Sequence, residues 1–240
     1  MNGSARRVTV ACLGDVHGRI DRVEEAVAWL RGHAPDLALV TGDFGTGAGR
    51  GTDRALEETL SALEPLGAPV LWVPGNHDTR DLDGPGKVDR RLLEVAGLRV
   101  FGLGGSTPTP ARLPYEWEDA ELDELEPPAC DLLLVHDPPA ESSLDVTVGG
   151  RHVGSRTVRR WAEAGRAEVL VCGHIHEAAG AERVGPTLCY NAGSLGAPRG
   201  AAQAGLLVRQ PGGAWHLCHR LMESGEEWTV RREPSGEERG

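Results

Sequence analysis

The sequence has little that would suit a membrane, a nucleic acid or a disulfide framework. No apolar run reaches the about 18 residues that a membrane span needs. Basic residues are in deficit: 25 Lys and Arg against 36 Asp and Glu leave a formal net charge of −11. That deficit argues against a nucleic-acid partner, because phosphate neutralisation needs clustered Lys and Arg. A small phosphate substrate stays open, since bound cations reverse the local field. Cys12, Cys130, Cys172, Cys189 and Cys218 form no CxxC and no short ladder. An odd, scattered set reads as reduced thiols, and the expected setting is cytoplasmic. The opening "MNGSARRVTVACLGD" carries two Arg but an apolar run too short for a signal peptide. Phe and Tyr are scarce, no internal repeat is visible, and no linker splits the chain.

What is present is glycine and alternation. The 33 Gly suit many tight strand-to-helix loops. With 240 residues and 40% hydrophobic content the chain can build one α/β domain with a full core. "RRVTVACLG", "DLALVTG", "PVLWVPG", "LRVFGLGG", "CDLLLVH" and "AEVLVCG" read as strands. "DRVEEAVAWLRG", "TDRALEETLSALEPL" (with Thr52 or Asp53 as N-cap), "VDRRLLEVAG" and "SRTVRRWAEAG" read as helices, and "YEWEDAELDELE" as a short acidic helix. After Gly180 short strands without helices predict an antiparallel meander. One domain is expected over 1–221, followed by a charged, disordered tail over 222–240.

Ligands of open α/β sheets gather at the carboxyl ends of strands. Five strands end here in chemistry: Asp15 and His17; Asp43; Asn76, His77 and Asp78; His136; and His174 and His176. Imidazole, carboxylate and amide oxygen together suit divalent ions such as Mn, Fe or Zn better than Ca or Mg alone. The absence of Cys argues against a structural zinc knot. Seven ligands are too many for one ion and about right for two that share a carboxylate.

The blocks "GDVHG", "GDFG", "PGNHD", the single His136 and "CGHIH" occur in the order found in calcineurin-like metallophosphoesterases. The chain resembles that superfamily, and within it the Icc-like branch. The resemblance implies a four-layer α/β/β/α sandwich of two facing mixed sheets. It implies two divalent ions, Mn or Fe foremost and Zn, Ni, Co or Mg as alternatives. Asp15, His17 and His176 would hold the first ion, Asn76, His136 and His174 the second, and Asp43 would bridge. His77 resembles the family's general acid, with Asp78 orienting it. The implied reaction is hydrolysis of a small phosphomonoester or phosphodiester, possible substrates including nucleotides and cyclic nucleotides, by a hydroxide shared between the ions. A non-catalytic scaffold that binds a protein partner, and a metal-dependent hydrolase of another ester, are the alternatives.

Other features carry less. His152, in the Gly-rich "GGRHVGS", is a substrate-contact candidate whose blander reading is a solvated loop histidine. Asn191, Gly193 and Ser194 resemble the family's N-x-G-S turn and are expected to support the metal loops. His33, His216 and His219 are expected to have no functional role. Asp43-Phe44-Gly45 spells a kinase triplet without the HRD loop, and "GTGAGRGT" lacks the G-K-[ST] end of a P-loop.

Overall fold

The computed structural model describes residues 6–196 and 201–234. The first sheet has the order β12-β11-β10-β1-β2-β3, and the second β4-β5-β6-β7-β9-β8. In chain order these strands are β1 (Val8–Leu13), β2 (Leu37–Val40), β3 (Val70–Trp72), β4 (Leu92–Val95), β5 (Leu98–Leu103) and β6 (Cys130–Val135). They continue with β7 (Ala167–Cys172), β8 (Gly180–Val184), β9 (Thr187–Asn191), β10 (Gln203–Arg209), β11 (Trp215–Leu221) and β12 (Glu227–Arg232). The helices are α1 (Ile20–Leu30), α2 (Thr52–Leu63) and α3 (Arg156–Glu163).

Three apolar layers make this a sandwich. Val10, Cys12, Leu39 and Leu71 of the first sheet meet Val100, Leu132, Leu134, Val169 and Tyr190 of the second. The alternate residues Ala11, Leu13, Ala38 and Val40 point outward onto Val23, Val27 and Leu30 of α1 and Leu56 and Leu63 of α2. On the far side Phe101, Leu133 and Leu170 pack under Val158 and Trp161 of α3. Central strands covered on both faces cannot alternate with polar residues, which is why they read as unbroken apolar runs. The expected α/β/β/α layering is therefore the observed fold.

Three local expectations need correction. The helix expected over "VDRRLLEVAG" is instead a loop followed by β4, paired antiparallel with β5 from Leu92↔Phe101 to Val95↔Leu98. The linking Ala96 and Gly97 have φ of 56° and 77°, the two left-handed residues of a tight hairpin turn that suits twisted strands. The acidic helix shrinks to one 3₁₀ turn, Asp119–Leu122, because Tyr115 and Trp117 before it are drawn into the core. The segment expected to be disordered beyond Met222 contains β12, paired with β11 from Trp215↔Arg232 to Arg220↔Glu227. Its charged composition hides a two-residue period: Trp228, Val230 and Arg232 turn inward while Glu227, Thr229 and Arg231 face solvent. Residues 235–240 of that segment lie outside the described residues. The N-cap of α2 is Gly51 rather than Thr52 or Asp53.

The meander after Gly180 is antiparallel as expected, but it divides. β8 and β9 close the second sheet, whereas β10 to β12 extend the first. His219 on β11 is buried, stacked on Trp228 with ring centroids 4.7 Å apart. Its Nε2 lies 2.9 Å from Gln203 Oε1, to which a neutral ring donates. The Tyr190 hydroxyl, 2.8 Å away, then donates to Nδ1. Burial pushes the imidazole down to about 4. Below about 6.5 the unfolded chain binds a proton that the folded chain refuses. Stability from this residue is therefore complete above that pH and lost as pH falls toward 4. Urea unfolding at pH 7 and pH 5 should show the wild-type losing about 2 kcal/mol more than His219→Gln over that interval. Equal losses would show that burial of this ring does not control acid sensitivity.

Candidate metal centre

β1, β2 and β3 are parallel neighbours in one sheet, and β6 and β7 in the other. Parallel strands bring their carboxyl ends to a single edge, so the five polar tips converge there. Short side chains reach a common point only if the backbone bends sharply. His17, Asp43 and His174 adopt φ of 45°, 52° and 67°, left-handed values that cost a non-glycine residue about 1 kcal/mol or more. Backbone bonds help to hold these bends, with His17 N donating to Asp43 O at 2.7 Å and Gly18 N to Phe44 O at 2.8 Å. Gly75 and Gly173 supply the remaining room. A Cβ on Gly75 would strike the Asp43 carboxylate, and one on Gly173 would strike Thr41 and Asp15.

Around Asp15 the donors are tightly set. Asp15 Oδ2 lies 2.9 Å from His176 Nε2 and accepts from His174 N at 2.8 Å. Thr41 Oγ1 donates to Asp15 Oδ1 at 3.1 Å. His17 Nε2 lies 3.2 Å from His176 Nε2. One ligand atom from each of Asp15, His17 and His176 falls within 4.8 Å of the others, spacing that suits a metal ion. A second group forms around His136, whose Nε2 lies 3.2 Å from Asn76 Oδ1. The His136 and His174 rings are 5.0 Å apart. His136 Nδ1–H donates to Thr41 O at 2.7 Å, which leaves the Nε2 lone pair facing the site. Asp43 stands between the two groups. Its Oδ2 lies 3.6 Å from His17 Nε2, and its Oδ1 lies 3.8 Å from His136 Nε2 while accepting from His77 N at 2.9 Å.

The electrostatics follow from burial and charge. Burial alone would raise the Asp15 carboxyl, but its hydrogen bond with His176 and the nearby His136 and His17 hold it well below the usual carboxylate range. Burial opposes the charged form of His136 and His176, yet Asp15 and Asp43 raise both. Burial pushes His174 down to about 3 and also lowers His17, keeping both rings in the neutral, metal-binding form. Nitrogen and oxygen donors without sulfur fit divalent ions of intermediate hardness.

Two expected residues are placed differently. The Asp78 carboxylate accepts from Gly75 N at 2.8 Å and Phe44 N at 3.1 Å, not from the His77 ring. It ties the loop after β3 to the loop after β2, and so supports Asp43 rather than His77. His77 rests edge-on to His17 at 5.3 Å, with its buried Nδ1 unpartnered among the described residues. His152 is not drawn into the cluster: its Nδ1 lies 2.6 Å from Asp145 Oδ1, and the ring is half-exposed. Its loop still reaches the site's margin, since Val148 N donates to Glu177, the neighbour of His176, at 2.7 Å. Ser194 Oγ donates to Asp15 O at 2.9 Å, and Asn191 Nδ2 to Ile175 O at 2.9 Å, as expected for a supporting turn.

Sequence reading missed Thr41 and Asp137. Thr41 fixes both Asp15 and His136, and only its place before Gly42-Asp43 hints at that. Asp137, beside His136, is buried with Oδ1 unpartnered among the described residues, and burial pushes it up to about 7. Nothing in its surroundings in sequence marks it.

The profile described as calcineurin-like phosphoesterase matches residues 8–178, from β1 through both histidines after β7. The chain belongs to that family. An uncharacterized protein of Methanocaldococcus jannaschii is 30% identical over 191 residues, 74% of this phosphoesterase chain and 84% of its own. A cAMP/cGMP dual specificity phosphodiesterase of Mycobacterium tuberculosis is 30% identical over 186 residues, 69% of this chain and 57% of the longer mycobacterial protein. A dimetal phosphatase of Danio rerio shares the fold, with a TM-score of 0.63 at 13% identity over 94% of this chain and 99% of its own.

The revised role of Asp78 is measurable. Asp78→Ala strands the buried amides of Gly75 and Phe44 and should cost about 2–5 kcal/mol of unfolding free energy. His77→Ala should cost under about 1 kcal/mol, as it removes a ring with no hydrogen bond of its own. Chemical denaturation of both variants decides; equal small losses would return Asp78 to a role acting through His77 alone.

Proposed function

We propose that this phosphoesterase is a two-metal hydrolase of small phosphodiesters, with cyclic nucleotides the first substrates to test and phosphomonoesters the second. The observation that carries the reading is Asp43: one carboxylate, 2% exposed, faces His17 with one oxygen and His136 with the other. Asp15, His17 and His176 would hold one ion, Asn76, His136 and His174 the other, and Asp43 both. Divalent ions bound there lower the pKa of water and neutralise phosphate charge.

The chain's own groups do the rest. Thr41 and Ser194 fix Asp15, one through its carboxylate and one through its carbonyl, so that the carboxylate need not reorganise. The Asn76 amide and the His77 ring, consecutive residues in the loop after β3, would meet a phosphoryl oxygen. His77 then supplies a proton to the leaving oxygen or stabilises charge on the phosphoryl group. The loops that would contact the rest of the ester are tied to these residues. Gly49 N donates to His77 O at 2.7 Å, Tyr115 N to Asn76 O at 3.2 Å, and Thr107 N to Asp137 at 2.8 Å. The name of the mycobacterial relative supports cyclic nucleotides as the substrate class. Five free thiols support a cytoplasmic setting, and no described helix is long and apolar enough to cross a membrane.

Purified protein loaded with Mn, Fe, Zn, Ni, Co or Mg should be tested on 3′,5′-cyclic nucleotides, bis-p-nitrophenyl phosphate and p-nitrophenyl phosphate. Diester hydrolysis should appear with Mn or Fe and vanish with a chelator. His77→Ala should keep its metal by elemental analysis yet lose about 10²–10⁴ in kcat. Asp43→Asn should lose both metal and turnover. Full activity after exhaustive chelation, or an Asp43→Asn variant that still carries two ions per chain, would refute the assignment.

A further inference from the structure

β12 is a sheet edge whose sequence complements itself. It closes the first sheet, and among the described residues no strand pairs with its outer side. At six residues it is the longest of the four edge strands, against three in β3, four in β4 and five in β8. Natural edges are blunted by proline, lysine or bulges, because open N–H and C=O groups invite another strand. Glu227–Arg232 holds no Pro and no Lys, and its register with β11 runs unbroken from Trp215↔Arg232 to Arg220↔Glu227.

The ladder fixes which backbone groups are open. Leu221 N donates to Glu226 O at 2.9 Å. Antiparallel bonding alternates residue by residue, so Glu226, Trp228, Val230 and Arg232 turn their polar backbone groups to β11. Glu227, Thr229 and Arg231 therefore turn theirs outward. The bond from Gln210 N to Ala214 O at 2.7 Å, followed across β11, gives the same phase. The outward residues read acid, hydroxyl, base. A two-fold axis at Thr229 sets Glu227 opposite Arg231 of a second copy and Thr229 opposite its counterpart. Every outward N–H and C=O of these residues then finds a partner. Sliding the pairing by two residues sets Glu227 opposite Glu233, or Arg231 opposite Gly225, and loses the match.

The side chains agree with that register. Arg231 is exposed and makes no ion pair among the described residues. Glu227 Oε1 is held by Arg220 at 2.6 Å, while Oε2 has the Cys218 thiol and no charged partner among the described residues. On the inner face Trp228 falls opposite Val230, and each is only half-buried against the core of one chain. Opposite-charge and aromatic–β-branched pairs are the ones that stabilise cross-strand neighbours.

We propose that two copies of this chain pair through β12, antiparallel about a two-fold axis at Thr229, and join their first sheets into one. Sedimentation equilibrium of the full chain over about 1–200 μM should show monomer and dimer in reversible exchange, with nothing larger. Thr229→Pro removes an N–H that faces outward, a position where edge strands tolerate proline. It should weaken the dimer at least about tenfold. Arg231→Glu sets Glu against Glu, and Glu227→Arg sets Arg against Arg. Each alone should weaken association at least about tenfold, and an equal mixture of the two should regain it, because every Glu again faces an Arg. A folding defect could not produce that recovery. A wild-type chain that stays monomeric, or that assembles beyond the dimer, overturns the proposal. So does a Thr229→Pro dimer as tight as the wild-type, or a charge mixture that stays apart. Should Thr229→Pro fail to fold, the charge mixture decides.

Discussion

Two carboxylates buried side by side govern this molecule. Asp15 is fully enclosed and Asp43 nearly so, and neither meets a lysine or arginine among the described residues. Isolated anions at such depth would be strongly disfavoured. Here they are tolerated because hydrogen-bond donors and imidazoles surround them: Thr41, the amides of His77 and His174, and the rings of His17, His136 and His176. Those groups are delivered by five strand ends, those of β1, β2, β3, β6 and β7. The requirement to compensate two anions at one point therefore dictates that parallel strands of both sheets finish at the same edge. It also accounts for three strained residues, since left-handed backbone at His17, Asp43 and His174 persists only where packing over-determines it.

That requirement explains what the sequence could disclose. Apolar runs that stop abruptly at Asp, Asn or His are conspicuous, because a strand tip devoted only to packing has no need of them. Asp15, His17, Asp43, Asn76, His136, His174 and His176 were all legible in this way, and the structure gathers them at one edge. The four layers were legible too, since strands buried on both faces leave no polar alternation. Asp78 was misread for the same reason that it was noticed. Adjacency to His77 in sequence invites a pairing, but the chain bends through residues 76–78, and the Asp78 carboxylate is taken by the amides of Gly75 and Phe44. Asp78 turns into the protein and meets amide groups, while His77 turns toward the site.

The other misreadings share a cause. "VDRRLLEVAG" has the spacing of a helix, but the hairpin turn at Ala96 and Gly97 folds its second half against β5 as β4. β12 is similar: its charges suit solvent on one face, and the surface left by Tyr190 and His219 captures Trp228 on the other. Both are edge strands held by a hairpin neighbour, a partner that the periodicity of each segment by itself does not reveal. Thr41 and Asp137 escaped notice because Thr41 holds His136 through a carbonyl and Asp137 is met by a loop amide, groups that every residue but proline possesses.

Charge is distributed by pole rather than by composition. A chain with a net charge of −11 is a poor collector of phosphate on average. At the strand-end edge the anionic side chains are turned to advantage, because they hold the centre where cations can bind and so reverse the local field. At the opposite edge the carboxylates of Glu126, Asp131 and Glu168 pair with Arg166 and Arg209, so charge there is largely balanced. An average over the sequence conceals both arrangements. What a phosphate group would meet is set by which charges remain uncompensated at the strand-end edge, and that balance emerges only once parallel strands of both sheets have brought their tips together.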